Sequence, residues 1–306
     1  MDVHVVWGLL LLNVCHDVAA ETIMETLNTR FETMIFSSLI QRAGLESLLN
    51  TGNYTVFAPV DAAFQLLPKE TVEWLYQKEN LPQMTALIKY HIVPYTGNTH
   101  RNWTGETLNT LASKPVRMVT YPHNQVTVVN GVVLTESNLS VSNGHIYLLR
   151  STLSPLTADV VQSLSQDPMY SSFLTAAALS GMTNKLKEDN ITVFAPHDLS
   201  FSKMGQNRTD VVFNNISLLR ELVEFHILPG VYYSNGLYKN ERIRDDNSRY
   251  DITYTVRELG NHNFRITPYA GTFLIKDWLA SNGVIHAVNG VAHSFTFYRD
   301  VDKLIG

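Results

Sequence analysis

The string Thr55-Val56-Phe57-Ala58-Pro59 occurs again as Thr192-Val193-Phe194-Ala195-Pro196, 137 residues later. Phe36 and Gly44 match Phe173 and Gly181 at the same spacing. His91-Ile92-Val93-Pro94 returns as His226-Ile227-Leu228-Pro229 after 135 residues, and Ser142-Asn143-Gly144 as Ser281-Asn282-Gly283 after 139. Landmarks in one order, at spacings that differ by a few residues, mark a duplicated unit. Within 306 residues this predicts two domains of ordinary size, 21–155 and 156–300, followed by a short tail at 301–306. Ser154-Pro155 breaks the strand pattern between the copies.

Each copy reads alike. Thr55–Phe57 is a short apolar strand that Pro59 ends, and Asp61 stands at an N-cap position ahead of Ala62-Ala63-Phe64. The second copy places Asp198 before Leu199-Ser200-Phe201. An amphipathic helix follows, with Met84, Leu87 and Ile88 on one face in the first copy and Leu218, Leu222 and Phe225 in the second. Each helix runs into a short strand at His91 or His226. The back half of each copy is β. Asn130-Gly131 between Val126–Val129 and Val132–Leu134 is a two-residue hairpin signal, and Asn143-Gly144 and Asn282-Gly283 precede apolar runs. Helices in front and strands behind give α+β domains.

The N-terminus reads as an export signal. Val5–Val14 is a short apolar run, and Val18-Ala19-Ala20 supplies small residues for cleavage before Glu21, although the preceding stretch has Asp2 and His4 and no Lys or Arg. The alternative is a buried strand or helix. The run is too short to span a bilayer, and no later segment reaches that length. Cys15, the only cysteine, lies inside this leader, so the processed chain has no thiol for redox, zinc or nucleophilic chemistry. Six Asn-x-Ser/Thr sequons, at Asn53, Asn102, Asn138, Asn190, Asn207 and Asn215, fit an exported glycoprotein. Asn53 and Asn190 precede a strand whose Thr55 or Thr192 could block access; Asn102, Asn138 and Asn207 read as loop positions, and Asn215 as a helix cap. Net charge is −5 with no basic face, which argues against nucleic acid as a partner.

A Thr-Val-Phe-Ala-Pro strand followed by Asp-x-x-Phe resembles the first signature of fasciclin-type domains. Asn282-Gly283-Val284-Ile285-His286-Ala287-Val288 resembles the second, whereas the first copy departs from it with His145-Ile146-Tyr147. The resemblance extends from about Thr22 to Arg299. It implies a β-wedge or sandwich packed with several helices in each domain. It also implies adhesion through a cell-surface receptor, an integrin among the candidates, or through a matrix component, with no cofactor and no enzymatic activity. In animal proteins resembling this one, the Tyr-His pair between the signatures has been linked to integrin contact. Here that pair is Tyr90-His91 in copy one and Phe225-His226 in copy two.

The residues themselves leave both readings of these positions open. His91 and His226 fit core histidines bonded through both ring nitrogens, and they also fit partner contacts. His286 and His293 fall on β runs of copy two without aligned counterparts in copy one. His-Glu-x-x-His, Gly-x-Ser-x-Gly, a Walker loop and Gly-x-Gly-x-x-Gly are absent, as is Arg-Gly-Asp. Two other functions compete with adhesion: an extracellular carrier with an apolar pocket, and a glycan hydrolase, which needs paired carboxylates in a cleft.

Overall fold

The computed structural model describes residues 20–94, 103–237, 242–245, 252–260, 263–267, 271–294 and 296–305. The first copy opens with helices α1 (Ile23–Thr29), α2 (Met34–Arg42) and α3 (Glu46–Thr51), then strand β1 (Tyr54–Pro59). Helices α4 (Asp61–Gln65), α5 (Lys69–Tyr76) and α6 (Leu81–Tyr90) lead to β2 (Ile92–Pro94). A run of strands follows: β3 (Thr104–Asn109), β4 (Pro115–Tyr121), β5 (Val126–Val129), β6 (Val132–Val141) and β7 (Gly144–Leu149).

The second copy repeats the order. It has α7 (Val160–Ser165), α8 (Ser171–Leu179), β8 (Ile191–Pro196), α9 (Asp198–Ser202), α10 (Gln206–Phe213), α11 (Ile216–Glu224) and β9 (Ile227–Pro229). Strands β10 (Arg242–Asp245), β11 (Ile252–Gly260), β12 (Asn263–Thr267), β13 (Gly271–Ala280) and β14 (Gly283–Val288) precede a last helix, α12 (Phe297–Ile305). The chain is α+β, as expected.

Both copies build the same sheet. The strand order is β2-β1-β7-β6-β5-β4-β3 in one and β9-β8-β14-β13-β12-β11-β10 in the other. The repeated strand β1 and the Asn-Gly strand β7 are central neighbours, paired in parallel from Tyr54↔Gly144 to Pro59↔Leu149; β8 and β14 pair likewise. Burial on both faces explains why these strands read as continuous apolar runs instead of alternating ones.

The long strands β6 and β13 shift register against β7 and β14 at matching places, between Leu134 and Leu139 and between Phe273 and Trp278. Bulges of this kind bend a strand and raise its twist, folding the sheet into a wedge. The wedge separates two cores. In the first domain Val56, Ala58, Ile146 and Leu148 face helices α1, α2 and α6 with Phe36, Leu39 and Ile88. Phe57, Tyr147 and Leu149 face inward with Tyr90, Trp103, Val116 and Met118. Fully burying one such apolar side chain contributes about 1.5–3 kcal/mol.

The Asn-Gly landmarks are structural staples. Asn143 Oδ1 accepts from the amide of Ile23, while its Nδ2 donates to the carbonyls of Leu49 and Gly52. Asn282 does the same with Val160, Leu186 and Glu188. A Cβ at Gly144 or Gly283 would lie 1.9 or 2.0 Å from the Tyr54 or Ile191 carbonyl oxygen, so the parallel pairing demands glycine there. At the predicted hairpin, Asn130 and Gly131 take φ of 46° and 76°, both positive as a type I′ turn requires.

Several expectations change. Asp61 and Asp198 occupy the first turn of α4 and α9 but do not cap them; each caps a neighbouring helix. Asp61 Oδ1 accepts from the amide of Ile35 in α2, and Asp198 Oδ1 from that of Ser172 in α8, with Ser171 Oγ donating to Asp198 Oδ2. Residues 301–305 are not a tail: they belong to α12, which buries Phe297 and Val301 in the second domain's core and ties Asp302 to Arg208 through two hydrogen bonds. His293 lies between β14 and α12, outside any strand. His286 does have a counterpart: Tyr147 stacks on Phe57 at 5.8 Å as His286 stacks on Phe194 at 5.9 Å.

Candidate functional site

The junction histidines take the same pose in both domains. His91 closes α6; its Nδ1 lies 2.9 Å from the Leu87 carbonyl and its Nε2 accepts from the amide of Leu153 at 2.9 Å. His226 bonds the Leu222 carbonyl at 2.7 Å and the Ala292 amide at 2.9 Å. A carbonyl on one nitrogen and an N–H on the other fix one neutral tautomer with the proton on Nδ1. Each ring lies against a repeated phenylalanine, Phe36 or Phe173, with centroids 5.5 and 5.4 Å apart. Burial lowers both pKa values to about 4. Each ring therefore clamps the chain leaving the sheet onto the end of the amphipathic helix.

Tyr90, His91, Phe225 and His226 are 0, 1, 3 and 0% exposed. The structure places all four predicted contact residues in the interior, because the helix–strand corner they form is covered by the segments at Leu153 and Ala292. The Tyr90 hydroxyl is satisfied inside the domain: it donates to the Pro115 carbonyl and accepts from Asn130 Nδ2. Phe225, its counterpart, packs in the second wedge with Phe194 and Phe273.

What the motifs did not indicate is a built junction between the two domains. Val119 and Tyr121 of β4 and Val128 of β5 form one buried cluster with Val231, Tyr233 and Val284 of the second domain. The Tyr121 hydroxyl donates to the Val231 carbonyl and accepts from the Tyr233 amide. Burial pushes the Tyr121 and Tyr233 phenols up, so both remain protonated. Beside them the buried guanidinium of Arg117 donates to the Gly105 carbonyl in its own domain and to Asp189 Oδ1 and the Ser281 carbonyl across the junction. Asn124 Nδ2 adds a bond to the Asn235 carbonyl at the rim. No repeat landmark marks Arg117, Tyr121 or Tyr233, although Ser281 and Val284 fall in the repeated Ser-Asn-Gly string and the signature that follows it. The available signal was an arginine and a tyrosine in the otherwise apolar alternation of β4.

The sequons fall in different settings. Asn53 is exposed in the short loop before β1, and Asn207 is exposed in the first turn of α10. Asn138 lies in β6. The loop reading of Asn138 and Asn207 is thereby replaced by strand and helix. Asn190 is half-buried at φ +61°. Asn215 caps α11, its Oδ1 accepting from the amides of Ser217 and Leu218. Asn102 and the leader up to residue 19 lie outside the described residues.

Among the described residues, no group of three or more His, Cys, Asp or Glu side chains is placed to hold a metal ion, and no helix is long and apolar enough to cross a membrane.

The model of the fasciclin domain matches twice, over residues 31–155 and 168–293. The chain belongs to the fasciclin family. Transforming growth factor-beta-induced protein ig-h3 of Sus scrofa is 26% identical over 240 residues, covering 78% of this chain and 34% of that protein. Human periostin is 22% identical over 272 residues, covering 88% and 29%. Immunogenic protein MPB70 of Mycobacterium bovis is 34% identical over 127 residues, covering 42% and 63%. The chain thus spans about a third of the length of the first two. A solved FAS1 domain pair from the insect cell adhesion molecule fasciclin I covers 86% of this chain at 15% identity, with a TM-score of 0.41. Both fasciclin domains keep the histidine clamp and the Asn-Gly staple as parts of their framework.

Proposed function

We propose that this chain is a secreted adhesion or matrix protein, and that its two fasciclin domains act as one preset body whose outer faces bind a cell-surface receptor or a matrix component. The observation that carries the reading is the junction. A buried cluster shared by Val119, Tyr121, Tyr233 and Val284, pinned by Arg117, holds two domains of one adhesive family in one relative arrangement. A fixed pair presents a composite surface without the ordering cost that two loosely tethered domains meet on binding. A carrier gains little support, since Phe57, Tyr90, Trp103, Met118 and Tyr147 fill the first wedge.

The test is to plate cells on surfaces coated with the purified chain and to pass the chain over matrix fractions. Attachment or retention above an albumin control is the expected result. Absence of both overturns the reading.

A further inference from the structure

Asn53 and Asn190 are one sequon in two copies, each two residues ahead of the threonine that opens the repeated string. Their surroundings differ. Asn190 sits under the first domain: a Cβ at Gly105 would lie 2.1 Å from its Oδ1 and 3.3 Å from its Nδ2, so the side-chain amide rests directly on that glycine. Its neighbours Asp189, Ser281 and Val284 all contribute to the junction. An N-linked glycan extends from Nδ2, the space that the first domain fills.

Among the described residues, the corresponding face of the first domain is uncovered. Asn53 is exposed there, at the edge of a depression of about 280 Å³ lined also by Ser140, Val141, Ser142, Gly144 and His145. Its chemistry has also changed. Ser140 and His145 stand where the docked face of the second domain has Leu279 and Val284. A polar, accessible face accommodates a sugar chain, whereas an apolar, covered one excludes it.

We propose that Asn53 carries an N-glycan in the secreted protein and that Asn190 does not, the glycan shielding on the first domain the face through which the second domain docks. The proposal rests on export through the glycosylating pathway. The test therefore expresses the full chain behind a heterologous leader, so that the outcome is independent of whether residues 1–20 direct export. Protein from the medium is treated with peptide-N-glycosidase F in H₂¹⁸O, and each sequon peptide is read by mass spectrometry. The expected result is ¹⁸O label at Asn53 in most molecules and at Asn190 in almost none. Comparable label at both sites, or none at Asn53, overturns the proposal. Retention of the chain with its own leader inside the cell would instead count against the localisation and leave this assignment standing.

Discussion

The hydroxyl of Tyr90 and the side-chain amide of Asn130 meet at 2.9 Å, 40 residues apart in sequence. Asn130 Oδ1 in turn accepts from the backbone amide of Arg117 at 2.8 Å, and the Arg117 guanidinium crosses to the second domain. The end of α6 is thereby connected through the β5–β6 turn to the residue that pins the junction. A hydroxyl at position 90 thus has an internal use in the first domain.

Tyr90→Phe should lower stability by about 1–3 kcal/mol, because Asn130 Nδ2 loses its buried acceptor and the Pro115 carbonyl its donor. Urea unfolding checks the magnitude. Cell attachment by the folded variant should be unchanged, since the ring is fully buried; lost attachment at unchanged stability would instead place the hydroxyl at a partner.

Asp61→Ala and Asp198→Ala should each cost about 1 kcal/mol, the usual range for a helix N-terminal cap. The loss should fall on α2 and α8, whose second-position amides these carboxylates accept from. Hydrogen exchange provides the check: the amides of Ile35 and Ser172 should lose protection, ahead of those inside α4 and α9.

The same aspartates illustrate what a sequence reading reaches. Their position before a short helix suggested a cap, and they are caps, but the amides they accept from lie 26 residues earlier, in another helix that is beside them only in space. Local signals were otherwise reliable: the Asn130-Gly131 hairpin and the apolar central strands were readable from motif and spacing, whereas the sequence left His91 and His226 open between core and contact, and only the fold around them shows both rings bonded inside. Contacts between distant segments were not. Arg208 and Asp302, 94 residues apart, turn a presumed tail into a packed helix. Tyr121 and Tyr233 meet across the domain boundary in a contact that no periodicity reveals.

Arg117→Ala should loosen the junction. The Gly105 and Ser281 carbonyls lose their donor in a mostly buried setting, at about 1–3 kcal/mol for unpaired buried polar groups. The ion pair itself adds little, because Asp189 is largely exposed. Scanning calorimetry of the wild type should show one cooperative transition. The variant should separate into two, with faster proteolysis in the connector around 151–158. One transition at an unchanged temperature would mean that the apolar cluster alone holds the pair.

The histidine clamps predict a direction of pH dependence. His91 and His226 have folded pKa values of about 4 against an ordinary 6.5, because burial disfavours the charged ring. The unfolded chain therefore binds more protons than the folded one between these two values. The stability contributed by keeping the rings neutral is fully present above pH 6.5. It falls as the pH drops through that interval and is gone below about 4, a loss of order 3 kcal/mol for each histidine. Buried His286 shifts in the same direction and adds to the trend. Urea midpoints measured at pH 7.5, 5.5 and 4.5 should decline steadily. His91→Gln with His226→Gln should start lower, because an amide reproduces the two bonds poorly, yet show a flatter decline over the same interval. An equally steep decline in the double variant would assign the acid sensitivity to other groups and remove the clamps from the account.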